Sequence, residues 1–165
     1  MKTKRIVVLG LLVALAFVFS YLESLVPISI GIPGAKLGLA NLVILVALYT
    51  LGARDAFLLS VIRIVLVGFT FTNVASMLYS LAGGVLSFAV MYLAKKIKSL
   101  SMVGVSVLGG IAHNIGQILV AMWVVETVSL VYYLPILMIV GVVAGVVIGL
   151  LSAMVIKRVK MLISV

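Results

Sequence analysis

Acidic side chains are nearly missing from this chain. Asp and Glu number 3 among 165 residues, against 12 Lys and Arg. Chemistry built on paired carboxylates, or on carboxylate clusters that hold magnesium, has too few groups to work with. Cysteine is absent and histidine occurs once, so disulfides, thiolate nucleophiles and Cys/His metal clusters are excluded. No Gly-x-x-x-x-Gly-Lys-Ser/Thr phosphate loop occurs, so the chain lacks that nucleotide site, and no metal site is expected either. What is present in quantity is apolar surface: 66% of residues are hydrophobic, 9% are charged, and the mean hydropathy is +1.51. That composition belongs to an integral membrane protein.

Six apolar runs stand out, over about 6–26, 37–51, 56–71, 74–93, 102–125 and 134–156. A hydrocarbon core of about 30 Å takes about 20 helical residues, so the second and third runs are short for a full crossing. Expected is an all-α bundle of six transmembrane helices filling one domain, 1–165. The first run follows a basic start but ends in Phe19-Ser20-Tyr21-Leu22-Glu23, with no small-x-small cleavage site, so it reads as an uncleaved span. Placing the N-terminus inside puts Lys2, Lys4, Arg5, Arg54, Lys95, Lys96, Lys98, Lys157, Arg158 and Lys160 on one side and leaves only Lys36 on the other. The positive-inside rule then sets both termini in the cytoplasm. The net charge of +9 thereby reads as a topology signal at an anionic leaflet and not as a nucleic-acid surface.

Residues 27–36 (Pro-Ile-Ser-Ile-Gly-Ile-Pro-Gly-Ala-Lys) cannot continue a helix and are too apolar for a freely solvated loop. A cap folded back over the outer end of the bundle fits them. Small residues recur every fourth position: Gly10 and Ala14, followed by Ala16 and Ser20; Ser76, Ser80 and Gly84; Gly141, Gly145, Gly149 and Ala153. Such stripes let helices approach closely in lipid. Internal packing is the simpler reading for the last two, whereas Gly10 and Ala14 also suit a face turned toward another subunit.

Polar residues at membrane depth are costly and therefore candidates for function. Measured from the inner face at 1.5 Å per residue, Arg63 falls at roughly 12 Å, His113 at roughly 16 Å, Gln117 at roughly 22 Å, and Glu23 and Asn41 at roughly 25 Å. Lys36 and Asn73 mark outer helix ends. His113 and Gln117 lie four residues apart and share a face, with Asn114 turned about 100° away toward a neighbouring helix. Glycines 109, 110 and 116 beside them leave room for a ligand or a close backbone. Arg63 suits a structural ion pair, with Asp55 two turns earlier as a partner, or contact with an anionic ligand. Glu23 suits a pairing with Lys36 or a substrate amine. Tyr79 sits slightly inside its span and can line a pocket, while Tyr21, Trp123, Tyr132 and Tyr133 suit an interfacial belt.

Three strings carry a family resemblance: Pro33-Gly34-Ala35-Lys36-Leu37-Gly38-Leu39-Ala40-Asn41, Tyr79-Ser80-Leu81-Ala82-Gly83-Gly84, and His113-Asn114-Ile115-Gly116-Gln117. Together they resemble the Gx transporter family, also labelled heptaprenyl diphosphate synthase component I, across nearly the whole chain. That family is similar to the substrate-binding (S) components of energy-coupling factor (ECF) importers. The resemblance implies a six-helix subunit in a prokaryotic inner or plasma membrane. It would bind a small metabolite beneath the first outer loop and dock on a transmembrane coupling subunit driven by two ATPases. ATP and magnesium would be used by those partners, with no cofactor in this chain. The candidate substrate-binding residues, taken from the polar groups above, are Glu23, Lys36, Asn41, Arg63, Tyr79, His113, Asn114 and Gln117. Docking maps to Gly10 and Ala14, where Gly replaces the more usual first Ala. The synthase label meets a physical objection, since prenyl synthases need two aspartate-rich clusters and this chain has Asp55 alone. A non-catalytic component of an isoprenoid or quinone enzyme complex, and a stand-alone carrier using His113 and Glu23, are the alternatives.

Overall fold

The residues that interrupt the apolar runs are the ones that end and begin helices. Asn73 accepts the Ser76 amide at 2.8 Å and Ser101 accepts the Gly104 amide at 3.1 Å, each capping the helix that follows. Gly52, at φ 100°, turns the chain between the second and third helices, and Glu126, at φ 54°, closes the fifth in the left-handed region. Pro135 occupies the first turn of the last helix, where its missing N–H costs nothing.

The computed structural model of the protein describes residues 2–25 and 38–163. Among these residues it holds six α-helices: α1 (Lys2–Leu25), α2 (Leu39–Thr50), α3 (Ala53–Phe71), α4 (Val74–Lys95), α5 (Met102–Val125) and α6 (Leu134–Ile163). A 3₁₀ helix, Val128–Tyr133, leads into α6. The expected cap loop, and Lys36 with it, lies outside the described residues.

Two side-chain ties fix which helix ends share a side. Arg5 at the start of α1 meets Asp55 at the start of α3 at 2.6 Å, and Lys95 at the end of α4 donates to the carbonyl of Leu48 near the end of α2 at 2.7 Å. The helices therefore run up and down, and this end gathers Arg5, Arg54, Lys95, Lys96 and Lys98. It is called the basic end below.

Packing divides into two halves. Helices α4, α5 and α6 form the most extensive contacts, and glycines make them possible. A Cβ on Gly110 would stand 2.5 Å from the carbonyl oxygen of Gly141, and one on Gly145 would stand 2.6 Å from Cα of Val107. Backbone here lies against backbone, as small-residue stripes allow in lipid. Helix α1 rests on α2 and α3 instead. Helix α2 is buried on every side from Val43 to Leu48, as an apolar-all-round helix should be. Its 12 residues span about 18 Å, well short of a bilayer core.

The outside of the bundle is apolar. Leu11, Phe69, Trp123, Tyr132, Ile139 and Val143 are exposed, Phe69 at 77% and Tyr132 at 81%. In water this surface would aggregate; facing acyl chains it is matched. Four helical segments, Arg5–Leu25, Val74–Lys95, Met102–Val125 and Val128–Arg158, are long and apolar enough to cross a membrane. The chain is a multi-pass membrane protein.

Candidate functional site

Because α2 is short, the space over its N-terminus is not filled by its own next turns. Gly38 begins the helix in the left-handed conformation, φ 75°, which a side chain rarely adopts. That turn delivers the Leu39 amide to Glu23 Oε1 at 2.7 Å. A carboxylate on α1 thus satisfies one of the amides at the start of α2 and sits at the positive end of its dipole. Asn41 follows within the first turn of α2 and faces the same space.

Helix α3 contributes Arg63. One terminal nitrogen, Nη1, reaches Ser20 Oγ of α1 at 3.4 Å, and Nε is sealed from the surface with no hydrogen-bond partner among the described residues. Asp55 was one expected partner for Arg63. It pairs with Arg5 at the basic end instead, with its side chain only 7% exposed, because α1 passes closer to the first turn of α3 than Arg63 does.

Helix α5 contributes His113 and Asn114. His113 lies against Gly83 of α4, where a Cβ would come within 3.1 Å of His113 Cε1. Asn114 lies about 100° further round the helix and donates one Nδ2 hydrogen to the Leu137 carbonyl of α6.

These groups line three adjoining cavities. The largest, about 100 Å³, lies between α1, α3 and α4 and is lined by Ser20, Glu23, Ser24, Arg63, Thr72 and Ser80, with Met77 and Gly68 below. The second, about 40 Å³, is almost wholly polar and is bounded by Glu23, Gly38, Asn41, Arg63, Ser80, His113 and Asn114. The third, also about 40 Å³, continues between α2, α4, α5 and α6 past Asn41, His113 and Asn114 to the hydroxyls of Ser87 and Ser106. Shared residues join the three into one track through the middle of the bundle.

Of the residues singled out from sequence, Glu23, Asn41, Arg63, His113 and Asn114 come together around the second cavity. Gln117 and Tyr79 are not in these linings. Gln117 is buried one turn beyond His113, with its Cγ beside Gly83 of α4, and Tyr79 is half-buried on α4. Asn73 is the cap of α4. Glycines 109, 110 and 116 admit Met91, the Gly141 backbone and the Ala82 backbone respectively, so they serve packing. Ser20 and Ser80 line the site although they read as members of small-residue stripes; a serine in such a stripe carries no mark separating packing from lining. Among the described residues no group of three or more His, Asp or Glu is placed to hold a metal.

Residues 12–155 match the family model described as heptaprenyl diphosphate synthase component I. The chain belongs to that family. No curated protein matches it. Among solved structures, the S component of a bacterial ECF transporter superposes with a TM-score of 0.77 at 16% identity, covering 99% of each chain. Members of the heptaprenyl diphosphate synthase component I family can therefore adopt the S-component fold. The chain's three acids lie on different elements: Glu23 of α1 caps α2, Asp55 of α3 pairs with Arg5, and Glu126 closes α5.

Proposed function

We propose that this chain is the membrane-embedded substrate-binding subunit of an ECF-type importer. The observation that carries the reading is the polar track around Glu23, Asn41, Arg63, Ser80, His113 and Asn114, held inside a lipid-facing shell. A mostly apolar body with a few convergent polar groups is the usual recipe for a small-molecule site. The S-component fold supports the same reading.

In this reading the termini are cytoplasmic, the membrane is the inner or plasma membrane of a prokaryote, and the metabolite enters from outside beneath residues 27–36. The chain is not an enzyme. Energy comes from ATP and magnesium in two partner ATPases, transmitted by a transmembrane coupling subunit. Gly10 and Ala14 form the docking face: both are exposed, and a Cβ on Gly10 would meet nothing within 4 Å. The family name favours a second reading, a non-catalytic component of an isoprenoid enzyme complex.

The test is affinity purification of the tagged protein from its native membrane in mild detergent, with copurifying proteins identified by mass spectrometry. A coupling protein with two ATPases is the expected outcome. A prenyl synthase without ATPases would select the second reading. Substrate uptake into liposomes by the chain alone would replace both with an independent carrier.

A further inference from the structure

A count of donors and acceptors around the largest cavity shows what is in surplus. The hydroxyl of Ser20 donates to the Ala16 carbonyl at 2.9 Å, that of Ser24 to the Tyr21 carbonyl at 2.6 Å, and that of Thr72 to the Gly68 carbonyl at 3.4 Å. Each hydroxyl has one hydrogen, so these three have none left for a ligand. Glu23 supplies acceptors and already takes the Leu39 amide. The guanidinium of Arg63 carries five N–H donors, and what it has among the described residues is one long contact, to Ser20 at 3.4 Å, and a buried Nε with no partner. The cavity therefore has unspent donors, concentrated on one planar, permanently charged group, and Ser80 is the remaining hydroxyl beside it.

We infer that the substrate carries a carboxylate, and that it docks on the guanidinium of Arg63 in the cavity between α1, α3 and α4, with the rest of the molecule extending past His113 and Asn41. This rests on the substrate-binding reading proposed above. A guanidinium presents two parallel N–H bonds to the two oxygens of a carboxylate, and its two terminal nitrogens form one such fork. Charge separates a carboxylate from a dianion: among the described lining residues Arg63 and Glu23 sum to zero, so a carboxylate leaves one net negative charge. A phosphate, with about two charges, would meet the Glu23 carboxylate in a low-dielectric setting where repulsion is weakly screened. The shared lining of the cavities by Arg63 and His113 fixes the direction of the remainder.

The experiment uses the full chain in lipid nanodiscs. The probe is a low-molecular-mass extract of rich growth medium, offered untreated or after carbodiimide capping of its carboxylates as methylamides. Retained small molecules are identified by mass spectrometry. Wild-type protein is expected to retain a carboxylic acid from the untreated extract and not its methylamide from the capped one. Arg63→Lys keeps the charge but loses the fork and should weaken retention about tenfold; Arg63→Gln should abolish it. The wild-type comparison does not depend on either variant folding. A retained compound that is neutral, cationic or phosphorylated, or one whose methylamide binds equally well, overturns the inference while leaving the substrate-binding reading intact. No retained compound from either extract overturns that reading, and this inference with it.

Discussion

Removing the carboxylate of Glu23 should destabilise the fold at the start of α2. In Glu23→Ala the Leu39 amide loses a 2.7 Å acceptor, and the first turn of α2 loses the negative charge at its positive end. A hydrogen bond to a charged group contributes about 1.5–3 kcal/mol, and loss of a helix cap costs about 0.5–2 kcal/mol. These describe one contact from two sides and do not add, so a value of about 2 kcal/mol is appropriate. For a chain of this size that corresponds to a fall in Tm of about 4–8 °C. Glu23→Gln keeps a carbonyl acceptor of the same reach but not the charge. Charge-assisted bonds are roughly twice as strong as neutral ones, so the Gln variant should lose about half as much. Thermal unfolding of the three proteins in one detergent, followed by intrinsic fluorescence, reads the series. A Glu23→Ala variant that melts within about 1 °C of wild type would refute the cap. A Gln variant as unstable as the Ala variant would show that charge alone, and not the hydrogen bond, carries the effect.

Gly145→Val places a side chain where even a Cβ would stand 2.6 Å from Val107 Cα, so α5 and α6 must separate. Overpacking of this kind costs about 1–3 kcal/mol, more against backbone, and should appear as lower monodisperse recovery on size exclusion. A Cβ at Gly10 would meet nothing within 4 Å, so Gly10→Leu should leave Tm unchanged while abolishing recovery of the coupling subunit and ATPases; recovery at wild-type yield would remove Gly10 from the docking face. Asp55 gives a pH signature at the basic end, where the guanidinium of Arg5 holds its carboxyl below the ordinary carboxylate range. A lowered folded-state value stabilises the fold above the unfolded pKa. The advantage of wild type over Asp55→Asn should therefore be constant from about pH 8 to about pH 4 and shrink below that. Melting curves across that range check it, and an advantage that grows with acidity would contradict the pairing.

The fold was legible because its signals are long and repeated. Apolar runs broken by Gly52, Asn73 and Ser101 leave little choice but a helical bundle, and the basic residues gather at one end of it. Half of the site was legible for a related reason. Arg63, His113, Asn114, Glu23 and Asn41 are conspicuous in an apolar chain, and they do meet around one cavity. What could not be read is azimuth. Depth follows from residue counting, but whether Tyr79 or Ser80 faces the cavity depends on how α4 is turned against α5, and that is set by Gly83 and Gly116 meeting across the seam. The partner of Asp55 was hidden likewise: sequence spacing pointed along α3 to Arg63, whereas the contact runs across to α1.

The position of the site follows from how unevenly the bundle is held together. The α4–α5–α6 half is locked by backbone contacts through Gly110, Gly116, Gly141, Gly145 and Gly149. Between α1 and the α2–α3 pair, polar ties sit near the two ends: Arg5 to Asp55, and Glu23 to the Leu39 amide. The cavities lie where the halves meet, with Glu23, Asn41 and Arg63 supplied by the looser half and His113 and Asn114 by the locked one. A molecule touching Arg63 and His113 together therefore bridges the halves. Its binding energy would favour one relative placement of them over others, which is the condition for a ligand to shift a conformational equilibrium. α1 belongs to the looser half and also carries the exposed Gly10 and Ala14, so in the proposed reading the cavity and the docking face share a single helix.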